Sequence, residues 1–181
     1  KKILLAFLLM PLAVPSYMGA FAFYDTFGIG GELDRLLPIT PPSVEGISGT
    51  IVVLALYTYP FVLLTTRSAL AGLDSNLIFA ARTLGSGVFE IFLKVIIPRV
   101  INAVAGGALL VALYAISDFG TPAILGANTY TRAIFVEYNA LGFSQAASLS
   151  IQLVFIISLF LALEFRARVT KALPSQLVAI R

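Results

Sequence analysis

The sequence predicts an all-α membrane protein, a polytopic bundle of helices, on three observations. Of its 181 residues, 59% are hydrophobic and only 12% are charged, whereas soluble domains are about 45–50% apolar and about 25% charged. The mean hydropathy is +0.98. The apolar residues also fall into long runs, which as helices would cross a hydrocarbon layer of about 30 Å. A core of this size cannot bury such an apolar excess, so lipid is the expected solvent.

The first predicted span covers residues 3–24, which carry no charge. Lys1 and Lys2 precede it, but its length and the absence of a small-residue cleavage site favour a membrane span over a signal peptide. Pro11 and Pro15 are expected to kink this helix, which membrane helices tolerate where neighbours satisfy the freed carbonyls.

Three further spans and two outer loops follow from the same pattern of long apolar runs. The segment 123–141 is mixed and could hold a short helix or a re-entrant piece. Together, residues 1–181 are expected to form a single transmembrane domain. The spans are residues 46–66, 100–117 and 144–163, and the extracytoplasmic loops are residues 25–45 and 118–143.

The basic residues orient this topology. Cytoplasmic loops carry an excess of Lys and Arg, and placing Lys1 inside leaves only Arg35 and Arg132, of the 12 basic residues, on the outer side. This orientation puts both ends of the chain in the cytoplasm. It also places there residues 67–99, here called the 67–99 connector.

Local chemistry predicts two short helices in the 67–99 connector. Asp74 or Ser75 is a suitable N-cap for a first helix over about residues 76–84. Gly85 is a suitable C′ residue, able to adopt a positive φ. Ser86 is expected to cap the second helix, and Pro98 to close it.

Composition excludes several kinds of site. The sequence has no cysteine and no histidine, so disulfides, thiolate or imidazole metal sites and Ser-His-Asp triads are excluded within this chain. No carboxylate falls inside a predicted span, and no phosphate-binding loop is present. We therefore predict no catalytic residue, no metal site and no cofactor of its own. A net charge of +3 is too small to indicate nucleic-acid binding.

A spaced pattern in the 67–99 connector resembles a known family motif. It consists of two alanines, three residues, a glycine, nine residues, and then an aliphatic residue, one residue, an aliphatic residue and a proline. This pattern resembles the EAA loop of permease subunits of binding-protein-dependent ABC importers. The residues that form it here are Ala80, Ala81, Gly85, Val95, Ile97 and Pro98.

The resemblance implies a coupling helix on the cytoplasmic side that docks into a groove of an ATPase subunit. Asp74, Arg82 and Leu84 also fit the motif. One departure is Phe79, which stands where the family usually has a glutamate, so a salt bridge from that glutamate to the ATPase would be absent. An ordinary amphipathic connector between membrane helices is the alternative interpretation.

Weaker motifs extend the resemblance to most of the chain. Residues 12–22, 116–122 and 129–131 are similar to the amino-terminal lobe of ferric-iron-type permeases. Permeases for thiamine, polyamines or phosphonates share parts of them. The resemblance implies a type I importer (MetI-like) fold, of which this chain would be an incomplete six-helix unit, in a bacterial inner membrane.

The resemblance also implies partners. These are a dimer of ABC ATPase subunits that holds the ATP and Mg²⁺, an extracytoplasmic substrate-binding protein, and a second permease lobe. That lobe could be fused to this chain, a copy of it, or a different chain.

Four polar residues within or at the end of the predicted spans are candidates for the pathway or an outer gate. Asp118 stands at the end of the third span, where it could face the pore mouth or a docked binding protein, or simply cap a helix end. Tyr17, Tyr57 and Tyr59 could line a gate, or pack with their hydroxyls bonded to neighbours.

Other membrane functions require side chains that this sequence lacks. A transporter driven by an ion gradient usually keeps ionisable residues inside its spans, and these spans have none. A membrane-embedded enzyme lacks its usual catalytic groups here. A purely structural role as a membrane subunit is the remaining alternative. Ferric iron is the leading expectation for the substrate, by family likeness only.

Overall fold

The computed structural model describes residues 2–36 and 45–177, with side chains for all of these except Asp34 and residues 167–177. Within this part of the chain every regular element is helical. A 3-10 turn spans Met10–Ala13 and a π-helical turn spans Phe92–Ile96. The α-helices are α1 (Lys2–Leu9), α2 (Ser16–Phe27), α3 (Glu32–Leu36), α4 (Gly46–Ala71), α5 (Ser75–Thr83), α6 (Val88–Ile91), α7 (Ile97–Ser117), α8 (Gly120–Leu125), α9 (Tyr130–Asn139) and α10 (Phe143–Leu177).

The long helices confirm the all-α membrane prediction. Three segments are long and apolar enough to cross a bilayer, namely Gly46–Ala71, Val88–Ser117 and Phe143–Arg166. A fourth crossing would exist if two consecutive helical segments form one bent span; these segments are Lys2–Ala13 and Ser16–Phe27. The helices α1 to α8 lie in one compact unit, and α9 and α10 pack on each other in a second.

The first predicted span is broken, with a bend of 90° between its two halves. The break is sharper than the predicted kinks because two proline effects coincide. Pro11 lies in the 3-10 turn, and Pro15 is the N-cap of α2. The residue before a proline is driven away from helical geometry, and Val14 accordingly is extended, with φ −113° and ψ 128°.

Both predicted outer loops contain helices. The segment 25–45 includes the end of α2 and the short helix α3, and its residues 37–44 lie outside the described part of the chain. The segment 118–143 holds α8 and α9. The segment 123–141, where the sequence predicts a short helix or a re-entrant piece, holds the end of α8 and all of the short helix α9.

The packed centre of the first unit lies where α2, α4 and α8 meet. Ala20, Val53 and Leu125 are buried there, with Phe23 and Tyr57 packed against them. Apolar contacts near the middle of α2 thus hold these three helices together.

The most extensive helix pair is α4 with α7, and Gly107 allows their backbones to approach closely. A Cβ atom built on Gly107 would stand 2.6 Å from Cα of Val62 and 2.5 Å from Oγ1 of Thr65. Small residues permit such contacts between membrane helices, where packing replaces the hydrophobic effect. Gly107 therefore serves the close packing of α7 on α4.

Replacing Gly107 with valine should destabilise this pair, because overpacking a tight contact costs about 1–3 kcal/mol. We expect Gly107→Val to lower the thermal unfolding temperature of the detergent-solubilised protein. Ala108→Val is the control, since Ala108 is the next residue on α7 and is exposed. Equal unfolding temperatures for the two variants would contradict a special role for Gly107.

Candidate functional site

The first helix of the 67–99 connector begins as predicted. The carboxylate of Asp74 accepts a hydrogen bond from the backbone N–H of Asn76 at 2.9 Å, which makes Asp74 the N-cap of α5. The helix runs over Ser75–Thr83, one residue earlier at each end than the predicted 76–84. Asp74 therefore has a local structural role in starting this helix.

Gly85 ends α5 in the left-handed conformation, with φ +83°, as the sequence predicted. Two hydrogen bonds complete the turn: Ser86 N–H donates to the Ala81 carbonyl at 3.1 Å, and Gly85 N–H donates to the Arg82 carbonyl at 3.0 Å. These bonds form the Schellman pattern, which satisfies the last carbonyls of a helix. A Cβ on Gly85 would meet no atom within 4 Å, so backbone conformation alone demands glycine here.

The second half of the 67–99 connector differs from the prediction. Ser86 does not cap the next helix; the N-cap is Gly87, and α6 begins at Val88. Pro98 does not close a helix either, because it lies in the first turn of α7. The π-helical turn that precedes it accommodates the proline, since Ile97 N–H donates to the Phe92 carbonyl five residues earlier.

The π-helical turn joins α6 to α7, so Val88–Ser117 forms one continuous apolar helical segment of 30 residues. The helical segment that contains the third predicted span therefore begins inside the 67–99 connector. Val95 and Ile97 are half-buried in this segment, and Pro98 is exposed. The motif positions thus divide between α5 and the root of the third span.

The 67–99 connector exposes large apolar side chains around the Gly85 turn. We call Phe79, Leu84, Val88 and Phe89 the apolar connector face; their exposed fractions run from 61% for Phe79 to 85% for Leu84. Ala80 and Arg82 are also exposed on α5. Exposed apolar groups of this kind mark surfaces that contact another protein or a membrane.

Charges near this face are partly paired. The Lys94 ammonium lies 2.7 Å from a carboxylate oxygen of Glu90, one helical turn earlier, and both side chains are exposed. Such surface pairs contribute little to stability. The ion pair neutralises two charges close to the apolar connector face.

Asp118 joins three helices at the other end of α7. Its Oδ1 accepts a hydrogen bond from Ser16 Oγ at 3.1 Å, and its Oδ2 accepts one from Thr121 N–H at 3.1 Å. Tyr114 donates its hydroxyl to Ser16 Oγ at 2.9 Å. We call these four residues the Asp118 network; it connects the start of α2, the end of α7 and the start of α8.

The three candidate tyrosines occupy different places. Tyr17 is about half-exposed, and its Cβ packs against Gly120 of α8. The ring of Tyr57 lies against Gly19 of α2, close enough to exclude any side chain there. Tyr59 donates its hydroxyl to the carbonyl of Leu8 at 2.7 Å. Two of the three tyrosines therefore pack on glycines, and the third donates a hydrogen bond to a carbonyl at the end of α1.

Two adjoining cavities lie beside the Asp118 network. One of about 210 Å³ touches the break after α1 and reaches Tyr57, Phe61 and Tyr114. The other, of about 470 Å³, also reaches Phe61 and Tyr114 and extends to Asp118. Their walls are mainly apolar, and among the described residues no group of three or more His, Cys, Asp or Glu could hold a metal ion.

Sequence reasoning missed Ser16 and Tyr114. Tyr114 could have been found, because it stands four residues before Asp118 and such pairs share a helix face. Ser16 is 102 residues from Asp118 in sequence, and no local pattern links the two.

The family model that matches this chain is the binding-protein-dependent transport system inner membrane component, over residues 1–175. The chain belongs to this family. The membership agrees with the EAA-loop resemblance and with the all-helical, apolar fold described above.

Several curated permeases are similar to this chain. It is 30% identical over 165 residues to the Fe(3+)-transport system permease protein FbpB 2 of Haemophilus influenzae, covering 89% of the chain and 30% of that protein. It is 30% identical to the spermidine/putrescine permease PotB of the same organism, covering 70% of the chain and 46% of PotB. A probable sulfate permease, cysT of Prototheca wickerhamii, is 28% identical, with coverages of 71% and 51%. The chain thus spans only about a third to a half of these relatives.

Removing the Asp118 carboxylate should destabilise the first unit. Ser16 is 2% exposed, and losing the acceptor of its hydroxyl would leave a buried donor unsatisfied, which costs about 1–3 kcal/mol. We expect Asp118→Ala to lower the thermal unfolding temperature, whereas Asp25→Ala, at an exposed position on α2, should leave it unchanged. Equal unfolding temperatures would mean that the Asp118 network contributes no stability.

Proposed function

We propose that this chain is part of the transmembrane permease subunit of an ATP-driven ABC importer, and that the 67–99 connector couples it to a separate ATPase dimer. The observation that carries the proposal is α5, an exposed helix held by a Schellman turn and followed directly by a span. ATP and Mg²⁺ would be bound by the ATPase, because this sequence has no phosphate-binding loop.

Docking would use the apolar connector face. Phe79, Leu84, Val88 and Phe89 offer an apolar surface, and exposed Ala80 lets a partner approach the helix backbone closely. With Phe79 in place of the usual glutamate, the contact at this position would depend on apolar burial rather than on an ion pair.

A continuous helical segment supports coupling across the membrane. The 30 residues of Val88–Ser117 would extend about 45 Å if helical throughout. The apolar connector face lies at one end of the segment, and Asp118 follows the other end. A displacement of the 67–99 connector would therefore reach the Asp118 network through one element, and alternating access would follow from the tilting of this span.

The translocation path would be shared with a second permease lobe, which could be fused, identical or different. The two cavities beside the Asp118 network and Tyr17, Tyr57 and Tyr59 are the proposed parts of the pathway and outer gate. An extracytoplasmic binding protein would deliver the solute and set the selectivity. We place the protein in a bacterial inner membrane, with both ends of this chain in the cytoplasm.

Ferric iron is the proposed substrate, by likeness to the iron permease. Relatives whose names specify polyamines, sulfate and molybdenum are similarly related, so a permease for polyamines, for an oxyanion such as phosphonate, or for thiamine is the second candidate. The described spans offer no cluster of carboxylates for a bare metal ion. This favours a hydrated path over a binding site inside the membrane.

A pair of glycine variants tests the coupling role. Gly85→Val should abolish co-purification of the partner ATPase with the full-length permease. A β-branched residue resists a positive φ, so the turn that positions α5 would be distorted. Gly85→Asn should retain the ATPase, since asparagine tolerates the left-handed conformation.

The matched control is Gly87→Val. Gly87 has φ −69° and ψ 161°, which any residue adopts, and a Cβ there would meet nothing within 4 Å. We expect normal ATPase retention and normal ATP-dependent uptake from this variant. If Gly85→Val and Gly87→Val retain the ATPase equally, docking through this turn is refuted. If the unmodified permease retains no ATPase, a structural or gradient-driven role is favoured.

A further inference from the structure

An open cavity lies between α1 and α4, outside the proposed pathway. α4 packs against the 3-10 turn that follows α1, and Tyr59 bonds to Leu8 at that level. Toward the beginning of α1, a cavity of about 380 Å³ separates the two helices. Its lining consists of Leu4, Leu5, Leu8, Leu63, Thr66, Arg67 and Leu70.

Two polar side chains of this cavity, those of Thr66 and Arg67, have no hydrogen-bond or ion-pair partner within the part of the chain that the structure describes. The hydroxyl oxygen of Thr66 is buried and makes no hydrogen bond among the described residues. Other threonines of α4 behave differently: Thr58 and Thr65 donate to carbonyls of their own helix. Because an unsatisfied buried hydroxyl costs about 1–3 kcal/mol, an external oxygen acceptor at Thr66 would be stabilising.

Arg67 is exposed at the same cavity and makes no ion pair with a described residue. It lies four residues before the end of the 26-residue α4, which is about 39 Å long and so exceeds a hydrocarbon core of about 30 Å. With α4 across the bilayer, the guanidinium would lie near the lipid headgroups and the leucines would lie toward the membrane interior.

We propose that this cavity binds an anionic phospholipid. The phosphate group would accept hydrogen bonds from the Arg67 guanidinium and the Thr66 hydroxyl, and an acyl chain would lie along the leucine walls. Arginine suits phosphate because its planar group donates two parallel hydrogen bonds, and basic pockets between membrane helices bind anionic headgroups.

The lining favours a lipid over another transmembrane helix. Helices that pack in membranes use small residues at the contact, as Gly107 does between α4 and α7. The wall of this cavity instead consists mainly of five leucines and contains a single small residue, Thr66. A packed helix would also have to supply an acceptor to Arg67, whereas an anionic lipid brings its own.

Native mass spectrometry of the full-length permease tests the proposal. After equilibration with equal amounts of phosphatidylglycerol and phosphatidylcholine, the unmodified protein should retain phosphatidylglycerol preferentially. Arg67→Gln should reduce that retention about tenfold, the loss expected for a charge-assisted hydrogen bond. Thr66→Val should reduce it severalfold, and Arg67→Lys should keep part of it.

Arg99→Gln is the matched control, because Arg99 is an exposed basic residue near the start of α7 and does not line the cavity. Its retention should equal that of the unmodified protein. Equal losses in Arg67→Gln and Arg99→Gln would indicate general charge attraction and overturn the proposal, as would an Arg67→Gln variant that retains phosphatidylglycerol normally.

A photoactivatable phosphatidylglycerol locates the site independently of folding effects in the variants. Label should appear within residues 63–70 of the unmodified permease. Absence of label there would overturn the proposal and would indicate that a helix from the rest of the permease fills the cavity. Neither experiment requires the ATPase, so a failure here leaves the coupling proposal untouched.

Discussion

In a hydrocarbon solvent each backbone N–H and C=O group must find its partner inside the protein, and the irregular features of this fold depend on that constraint. Where Pro11 and Pro15 interrupt the first span, the chain forms a 3-10 turn rather than an open coil. At the end of α1, the Leu8 carbonyl accepts a hydrogen bond from the hydroxyl of Tyr59 on α4. Before Pro98, the ladder continues as a π-helical turn. Each irregularity is therefore accompanied by a hydrogen bond to a freed or shifted backbone carbonyl.

Packing of α4 on α7 then decides where the functional surfaces lie. Gly107 brings the two backbones into contact, and the 67–99 connector leaves the end of α4 and returns as the beginning of the Val88–Ser117 segment. Both ends of α5 are thus attached to the same helix pair. At the other end of α7, the Asp118 network ties that pair to α2 and α8. One packed pair of helices consequently holds the connector at one end and the proposed gate at the other.

Local chemistry in the sequence was sufficient wherever a short segment determines its own conformation. The Asp74 cap and the positive φ of Gly85 follow from side-chain reach and from the missing Cβ, and the structure confirms both. Pro98 was misread because a proline after a helix and a proline in the first turn of the next helix look alike in sequence. The Asp118 network could not be read from the sequence, since Ser16 and Asp118 meet only after α2 and α7 have packed. The roles of the pathway residues stay predictions.

The hydrogen-bonded turn at the end of α5 constrains how the proposed coupling can operate. A partner shifts a conformational equilibrium only by the difference between its affinities for the two states. Because the Schellman turn joins α5 to the segment that contains the third predicted span, a shift of α5 caused by the proposed ATPase partner would be passed on to that segment. The affinity difference must then appear as a movement of the whole α4–α7 pair, which is bonded through Asp118 to the helix that follows the 90° break. In this arrangement the break after α1 is the natural place for the movement to be absorbed, since Val14 is already extended and no continuous helix crosses it.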